Sequence, residues 1–453
     1  MLEFVMKNGP FVTSIVKYLE ENAYKNVNAS DLTVHLDVNF PFTDEVKTAA
    51  DFLDSWINQK GFPYINVTKE TNGYRVKQQR FLISSSNFTN TSTVWKIPFS
   101  FYNNANWNQS TIRFLAKSED ILTNVPQDTK LVKFNSGHYG FYLVNYSPNL
   151  WYNWIDALVN KFEATMLPPV DRAGLLLDSF LLAQANLLSY IIPLKLIRYL
   201  IKESYFTPWS VAIKALNDIS KFILFGSTYG SQFQRYSREL INSIYFTLGW
   251  NDSQGSETQR RLRTSVIEFA CFNKHSHCLE QASKLFQQWK DTKLLYDNSN
   301  IPANLFNIVL LYGLQDDPTT DNWLFVWSQY LNESSTIIKS NYMSALASSP
   351  NQSCIDLLLN QAMEAKVIRP EDVNNVFLAI LNSKNRDNIE RLWQFFKANY
   401  VRLTNSDSPL QRNELITIWK SFSNNYFFTD DRKAEVLIVY RFKIIIIDSI
   451  NFF

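Results

Sequence analysis

Two thiols and two imidazoles fall within eight residues, Cys271-Phe272-Asn273-Lys274-His275-Ser276-His277-Cys278, and nominally match the donor set of a tetrahedral zinc shell. His275 and His277 are closer together than the usual His pair of a zinc finger, however, and both lie inside the cysteine loop. A disulfide between Cys271 and Cys278 is the better reading, because it closes a short loop between two helices and suits an oxidising compartment. Cys354 is left over and reads as a buried helix residue, not a nucleophile. His35, in Thr33-Val34-His35-Leu36, and His138, in the turn Gly137-His138-Tyr139-Gly140, read as partly buried or surface imidazoles without a partner. No two of the four histidines are spaced i, i+4 with a Glu between, so the metal-binding helix H-E-x-x-H is absent. The aromatic stripe Trp323, Trp327 and Tyr330 invites comparison with a binding groove, but at helical spacing it reads as core.

Nine Asn-x-Ser/Thr sequons, at Asn28, Asn66, Asn87, Asn90, Asn108, Asn145, Asn251, Asn332 and Asn351, make these asparagines glycosylation candidates and point to an extracellular or cell-surface location. Met1-Leu2-Glu3-Phe4 nevertheless leads straight into amphipathic sequence with no basic, apolar and small-residue leader, so a missing N-terminal portion is expected. A formal net charge of +2, with the signs mixed along the chain, argues against nucleic-acid partners. The longest apolar stretch, Leu175 to Ile201, is broken by Asp178, Gln184, Asn186, Pro193, Lys195 and Arg198; it reads as two buried helices and not as a transmembrane span.

Elements of changing period must position these groups. Residues 1–62 carry helical stripes, Val12, Ile15, Val16 and Leu19 and then Val46, Ala49, Ala50, Leu53, Trp56 and Ile57, and stop at Gly61 and Pro63. From Tyr64 the period becomes two: Trp95, Ile97, Phe99 and Phe101 share one strand face, and Asn72-Gly73 supplies a tight hairpin turn. Six or seven short strands over 64–147 predict a small β-sandwich. Helical periodicity returns over 150–435, where many short helices with one apolar face each are expected to stack into a solenoid. The tail 436–453 differs in character, with the β-branched run Val436 to Ile447, and is expected to lie outside that solenoid.

Four local patterns carry a resemblance. Trp56-Ile57-Asn58-Gln59-Lys60-Gly61-Phe62-Pro63, Trp95-Lys96-Ile97-Pro98, Gly140-Phe141-Tyr142-Leu143-Val144-Asn145-Tyr146 and Asp171-Arg172-Ala173-Gly174 through Asp178-Ser179-Phe180-Leu181-Leu182-Ala183 resemble, in order, segments of the aminopeptidase N family of zinc metallo-aminopeptidases. The likeness covers residues 1 to about 430, the C-terminal half only. It implies a fold that is multidomain and mainly α: helices ending a thermolysin-like domain (1–62, incomplete), a β-sandwich (64–147), a superhelical HEAT- or armadillo-like domain (150–435) and the atypical tail. It also implies the Cys271–Cys278 bridge. Two departures stand out: Leu143 replaces the usual Arg, which puts an ion pair in doubt, and Gly313 with Ser348 or Ser349 occupies the positions of a second cysteine pair, so that bridge cannot form.

The family's chemistry needs H-E-x-x-H, a further Glu for zinc, and a G-x-M-E-N strand to hold the substrate amine. The motifs H-E-x-x-H and G-x-M-E-N are absent from this sequence, so no catalytic, cofactor-binding or metal-ligating residue is assigned and zinc is expected only in the full-length family. The resemblance implies that this half caps and shapes a substrate chamber for peptides beside a missing catalytic half. The alternative is a non-catalytic binding or scaffold paralogue, in which residues 1–62 would expose an apolar face.

Overall fold

A computed structural model describes residues 1–426 apart from 72, 84–92, 104–105, 124–128, 162–166, 227, 293–300, 316–319, 365–366, 384 and 406–407. The described chain is mostly helical with small β-sheets, and it divides into two units, Met1–Ala215 and Leu216–Phe453. The tail 436–453, Asn72 of the expected hairpin and the sequon residues Asn87 and Asn90 lie outside the described residues.

In the first unit, helices α1 (Leu2–Met6), α2 (Asn8–Glu21), α3 (Ala29–Asp37) and α4 (Ala49–Ile57) come first. Asn28 caps α3 by accepting from Ser30 N and Asp31 N, while Asp31 accepts from Asn28 N, and Thr48 caps α4 through Asp51 N. These bonds satisfy donors that a helix start leaves open. Phe52 and Ala49 of α4 bury against Leu36, Phe40 and Val46. The stripe on α2 behaves differently: Val12, Val16 and Leu19 are 48%, 47% and 59% exposed.

Seven strands follow: β1 (Pro63–Glu70), β2 (Gly73–Arg80), β3 (Ile97–Asn103), β4 (Asn106–Leu115), β5 (Glu119–Thr123), β6 (Val132–Phe134) and β7 (Leu143–Tyr146). They form a four-stranded sheet, β5-β2-β1-β7, and a three-stranded sheet, β4-β3-β6. β1 pairs antiparallel with β2, Tyr64 opposite Gln79, and parallel with β7, Tyr64 opposite Leu143. Across the sheets, buried Gln78 of β2 donates to the carbonyls of Trp95 and Leu115 at 2.8 and 3.2 Å and accepts from Trp95 N at 2.8 Å. Tyr146 Oη accepts from Phe134 N at 2.9 Å. The period-two reading expected one buried face on β3, but Pro98, Ser100 and Tyr102 on the other face are buried as well as Ile97 and Phe99.

Helices α5 (Pro148–Ile155), α6 (Pro169–Gln184), α7 (Ile191–Leu196) and α8 (Phe206–Gly226) come next, α8 running across the division between units. The four sequence patterns interlock here. Trp56 Nε1 donates to Lys96 O at 3.2 Å and Lys96 N to Ser55 Oγ at 3.1 Å, joining the first two. Val144 N donates to Asp178 Oδ2 at 3.2 Å, joining the last two.

The second unit holds α9 (Gly230–Leu248), α10 (Glu257–Phe272), α11 (Ser276–Thr292), α12 (Phe306–Gly313), α13 (Asp321–Asn332), α14 (Thr336–Leu346), α15 (Gln352–Glu364), α16 (Val373–Asn382), α17 (Arg386–Ala398), α18 (Tyr400–Thr404) and α19 (Arg412–Asn425). Neighbours in sequence pack together, α9 on α10, α11 on α12 and α13 on α14, and so do alternate helices, α10 on α12, α12 on α14 and α14 on α16. Trp289, Trp323, Tyr342, Phe377 and Trp393 fill one continuous core. No helix among the described residues is long and apolar enough to cross a membrane.

Candidate functional site

The histidines and cysteines are committed to structure. Cys271 and Cys278 form a disulfide, and Cys354 is buried on α15. His277 Nδ1 lies 2.9 Å from Tyr245 Oη, and His275 Nε2 lies 3.2 Å from Asn242 Oδ1. Burial lowers the His275 pKa, and neighbouring His277 and Arg238 add to the effect. His138 is held against Gly174, where an added Cβ would meet its Nδ1 at 2.8 Å, and burial takes its pKa down to about 4. His35 has the partner that sequence reading missed: Nε2 sits 2.9 Å from Glu21 Oε2 and Nδ1 2.7 Å from Asp31 O, and the Glu21 bond raises its pKa. A residue fourteen positions away on a different helix leaves no local signal.

These residues do not fit the tetrahedral zinc shell that their donor set nominally matches: both loop thiols are joined to each other, His277 faces Tyr245, and no three His, Cys, Asp or Glu side chains among the described residues converge as a ligand set.

A buried ionic cluster ties α6 to the sheets. Asp171 pairs with Lys133 at 3.3 Å and accepts from Gly137 N at 2.9 Å and from the Tyr102 hydroxyl. Arg172 makes a two-pronged bond to Glu203, at 2.7 and 3.0 Å. Asp178 is fully buried and has no ion pair among the described residues; its Oδ1 lacks a hydrogen-bond partner there, and burial pushes its pKa up to about 7. Leu143, the neighbour of Val144 on β7, is a buried aliphatic and offers no charge there.

The second unit contains a concavity of about 1080 Å³. Residues of α9, α10, α12, α14 and α16 line it, the last four being helices that pack on one another as alternate members of the series. Helical spacing explains how. Ser340 and Ser344 on α14 and Asn375, Leu378, Ala379 and Asn382 on α16 recur at three- and four-residue intervals, which places each set on one helix face. The disulfide loop supplies a wall: Lys274, held at φ 58 between bridged Cys271 and Cys278, faces the concavity.

The lining is polar and charged at its edges. Arg369 pairs with Asp372 at 2.8 Å, and Lys339 sits 5.3 Å from the ring centre of Tyr330. Burial raises the pKa of Tyr312 well above the ordinary phenol value, with Glu268 adding to it, so that hydroxyl is a neutral donor. Tyr330 reaches the concavity while Trp323 is fully buried and Trp327 packs on the core, so the aromatic stripe is chiefly core. Amides, hydroxyls and paired ions of this kind can hydrogen-bond an extended polar chain; they include no nucleophile paired with a base. Sequence reading missed the groove residues because, before the helices are stacked, Ser340 or Asn375 reads as an ordinary solvent-facing position.

A model of the ERAP1-like C-terminal domain family matches residues 131–436, which include the whole concavity. Among curated proteins, the chain is 30% identical over 439 residues to glutamyl aminopeptidase of Sus scrofa, covering 93% of this chain and 44% of that protein. It is 29% identical over 432 residues to glutamyl aminopeptidase of Homo sapiens, with 93% and 43% covered. It is also 26% identical over 427 residues to endoplasmic reticulum aminopeptidase 1 of Mus musculus, with 89% and 44% covered. The chain thus spans less than half the length of these relatives.

Proposed function

The chain belongs to the ERAP1-like C-terminal domain family, as a C-terminal half of the M1 aminopeptidases, and from that premise we propose that it is the non-catalytic half of a peptide-trimming zinc aminopeptidase. Its helical unit is a solenoid whose inner layer walls the substrate chamber and contacts peptide, while the chemistry belongs to a catalytic half of the kind its relatives carry. The observation that carries this reading is the concavity of about 1080 Å³ within the family-matched residues, lined by amide, hydroxyl and paired ionic groups and without a metal-ligating set. Alternate-helix packing from α10 to α16 supports the solenoid. The exposed Val12, Val16 and Leu19 on α2 support a face that a catalytic half covers. Membership of this family, together with the sequons, favours work outside the cell or at its surface.

Peptide binding is the direct test. A fluorescein-labelled peptide titrated into the purified chain should show saturable anisotropy, and Ser340→Trp or Ser344→Trp, which fill the groove, should weaken it by about tenfold, ~1.4 kcal/mol. Binding that is absent, or unchanged by both substitutions, overturns the reading.

A further inference from the structure

The chemistry of N-glycosylation makes different demands on an asparagine from those its sequon states. The Nδ2 nitrogen must attack the anomeric carbon of an oligosaccharide carried on a polyprenyl pyrophosphate. The N–C bond forms, the C–O bond to pyrophosphate breaks, one Nδ2 proton is lost and the polyprenyl pyrophosphate departs. In the folded product Nδ2 must face solvent with room for a sugar, while Oδ1 remains free to accept hydrogen bonds. The glycosylated nitrogen keeps one N–H and can still donate one bond, so what disqualifies an asparagine is an Nδ2 tied in and half-buried between packed elements, where the second N–H position has no room for a sugar.

Five of the sequons separate on this criterion, while Asn351 accepts on Oδ1 from the N–H of its own sequon Ser353 at 3.0 Å but is half-buried and falls in neither group. Asn145 on β7 donates from Nδ2 to Asn66 Oδ1 at 3.0 Å and accepts on Oδ1 from Trp151 Nε1 at 3.2 Å. Asn66 on neighbouring β1 donates from Nδ2 to Gln79 Oε1 at 2.8 Å. Both amides thus knit three strands and α5 together, and both are half-buried. Asn332 also spends its Nδ2, on Ser328 O at 2.9 Å. Asn28 and Asn251 are the reverse. Each is exposed, each accepts on Oδ1 from the backbone N–H of its own sequon serine, Ser30 at 2.8 Å and Ser253 at 2.9 Å, and both serines are exposed. Their Nδ2 groups make no hydrogen bond among the described residues. For Asn28 the consequence is that the α3 cap survives modification, since capping uses Oδ1 alone. For Asn251 the adjoining Asp252 is clasped by Arg263 and by Asn304 Nδ2, which fixes the turn that presents the sequon.

We propose that Asn28 and Asn251 are N-glycan acceptors of this chain and that Asn66 and Asn145 are structural amides that stay unmodified in the folded protein. This does not rest on the peptide-binding reading, since none of these asparagines lines the concavity.

The test is site occupancy in the whole chain produced behind a secretion leader in a eukaryotic cell, with secreted and retained protease-resistant pools both analysed. Peptide mapping after enzymatic deglycosylation in heavy-oxygen water should label Asn28 and Asn251 and leave Asn66 and Asn145 as asparagine. Asn28→Gln and Asn251→Gln should each remove one glycosidase-sensitive mass step without lowering the melting temperature. A glycan on Asn66 or Asn145 in protease-resistant protein, or an unmodified Asn28 or Asn251 in both pools, would overturn the proposal.

Discussion

At the scale of single residues, Asp178 is a fully buried carboxylate with only one oxygen satisfied among the described residues. Its Oδ2 accepts from Val144 N, its Oδ1 has no partner, and the neighbouring cation, Lys133, is bonded to Asp171 and to the carbonyls of Phe134 and Asn135. Burial raises the Asp178 pKa from 3.8 to about 7, with Asp171 contributing and Lys133 opposing. Other titratable groups near this cluster, Tyr102, Tyr142, Tyr146 and His138, are uncharged at neutral pH, because burial raises the phenols and lowers the imidazole. The sign follows from proton binding: between about pH 4 and pH 7 the folded chain holds a proton that the unfolded chain has released, so this group's contribution to stability falls as pH rises through that window. Asp178→Asn keeps the shape and removes the titration, so its melting temperature relative to the parent should improve from about pH 5 to about pH 8. An unchanged difference at the two pH values would contradict this. The commitment of Lys133 to Asp171 was not legible in the sequence, because β6 and α6 meet only in the fold.

At the scale of elements, helices and most strands were legible because their apolar spacing matches the backbone period. β5 escaped notice: Glu119-Asp120-Ile121-Leu122-Thr123 begins with two acids and carries only a short apolar pair, and it is held by pairing along β2 at the sheet edge. Gly313 is the opposite case, a residue whose departure from the family pattern has a packing cause. An added Cβ there would lie 2.4 Å from Phe286 Cβ, so α12 can approach α11 only without a side chain. Gly313→Ala should therefore destabilise the second unit by roughly 1–3 kcal/mol, the usual cost of overpacking a core. Thermal melting checks it, and a variant as stable as the parent would show that Phe286 moves aside freely. On α2 the stripe Val12, Val16 and Leu19 was legible as apolar, but its exposure follows from what packs on it, which the local pattern does not encode.

At the scale of the whole molecule, four short patterns in fixed order identified the family, because each holds a contact between elements: Trp56 to Lys96 and Val144 to Asp178 bind those patterns in pairs. The concavity was not legible, since its polar wall is assembled from faces of α9, α10, α12, α14 and α16 with further residues from α11, α13 and α17, and no single face differs from solvent-exposed helix. The central claim is that this wall contacts peptide. Photo-crosslinking is the most direct measurement: a peptide carrying a benzophenone residue is irradiated with the chain and the adducts are mapped by mass spectrometry. The account predicts adducts concentrated on groove residues of α14 and α16, Met343 and Leu378 among them, and their loss when unlabelled peptide is in excess. Adducts confined to residues outside the concavity, or a pattern that excess peptide leaves unchanged, would contradict it.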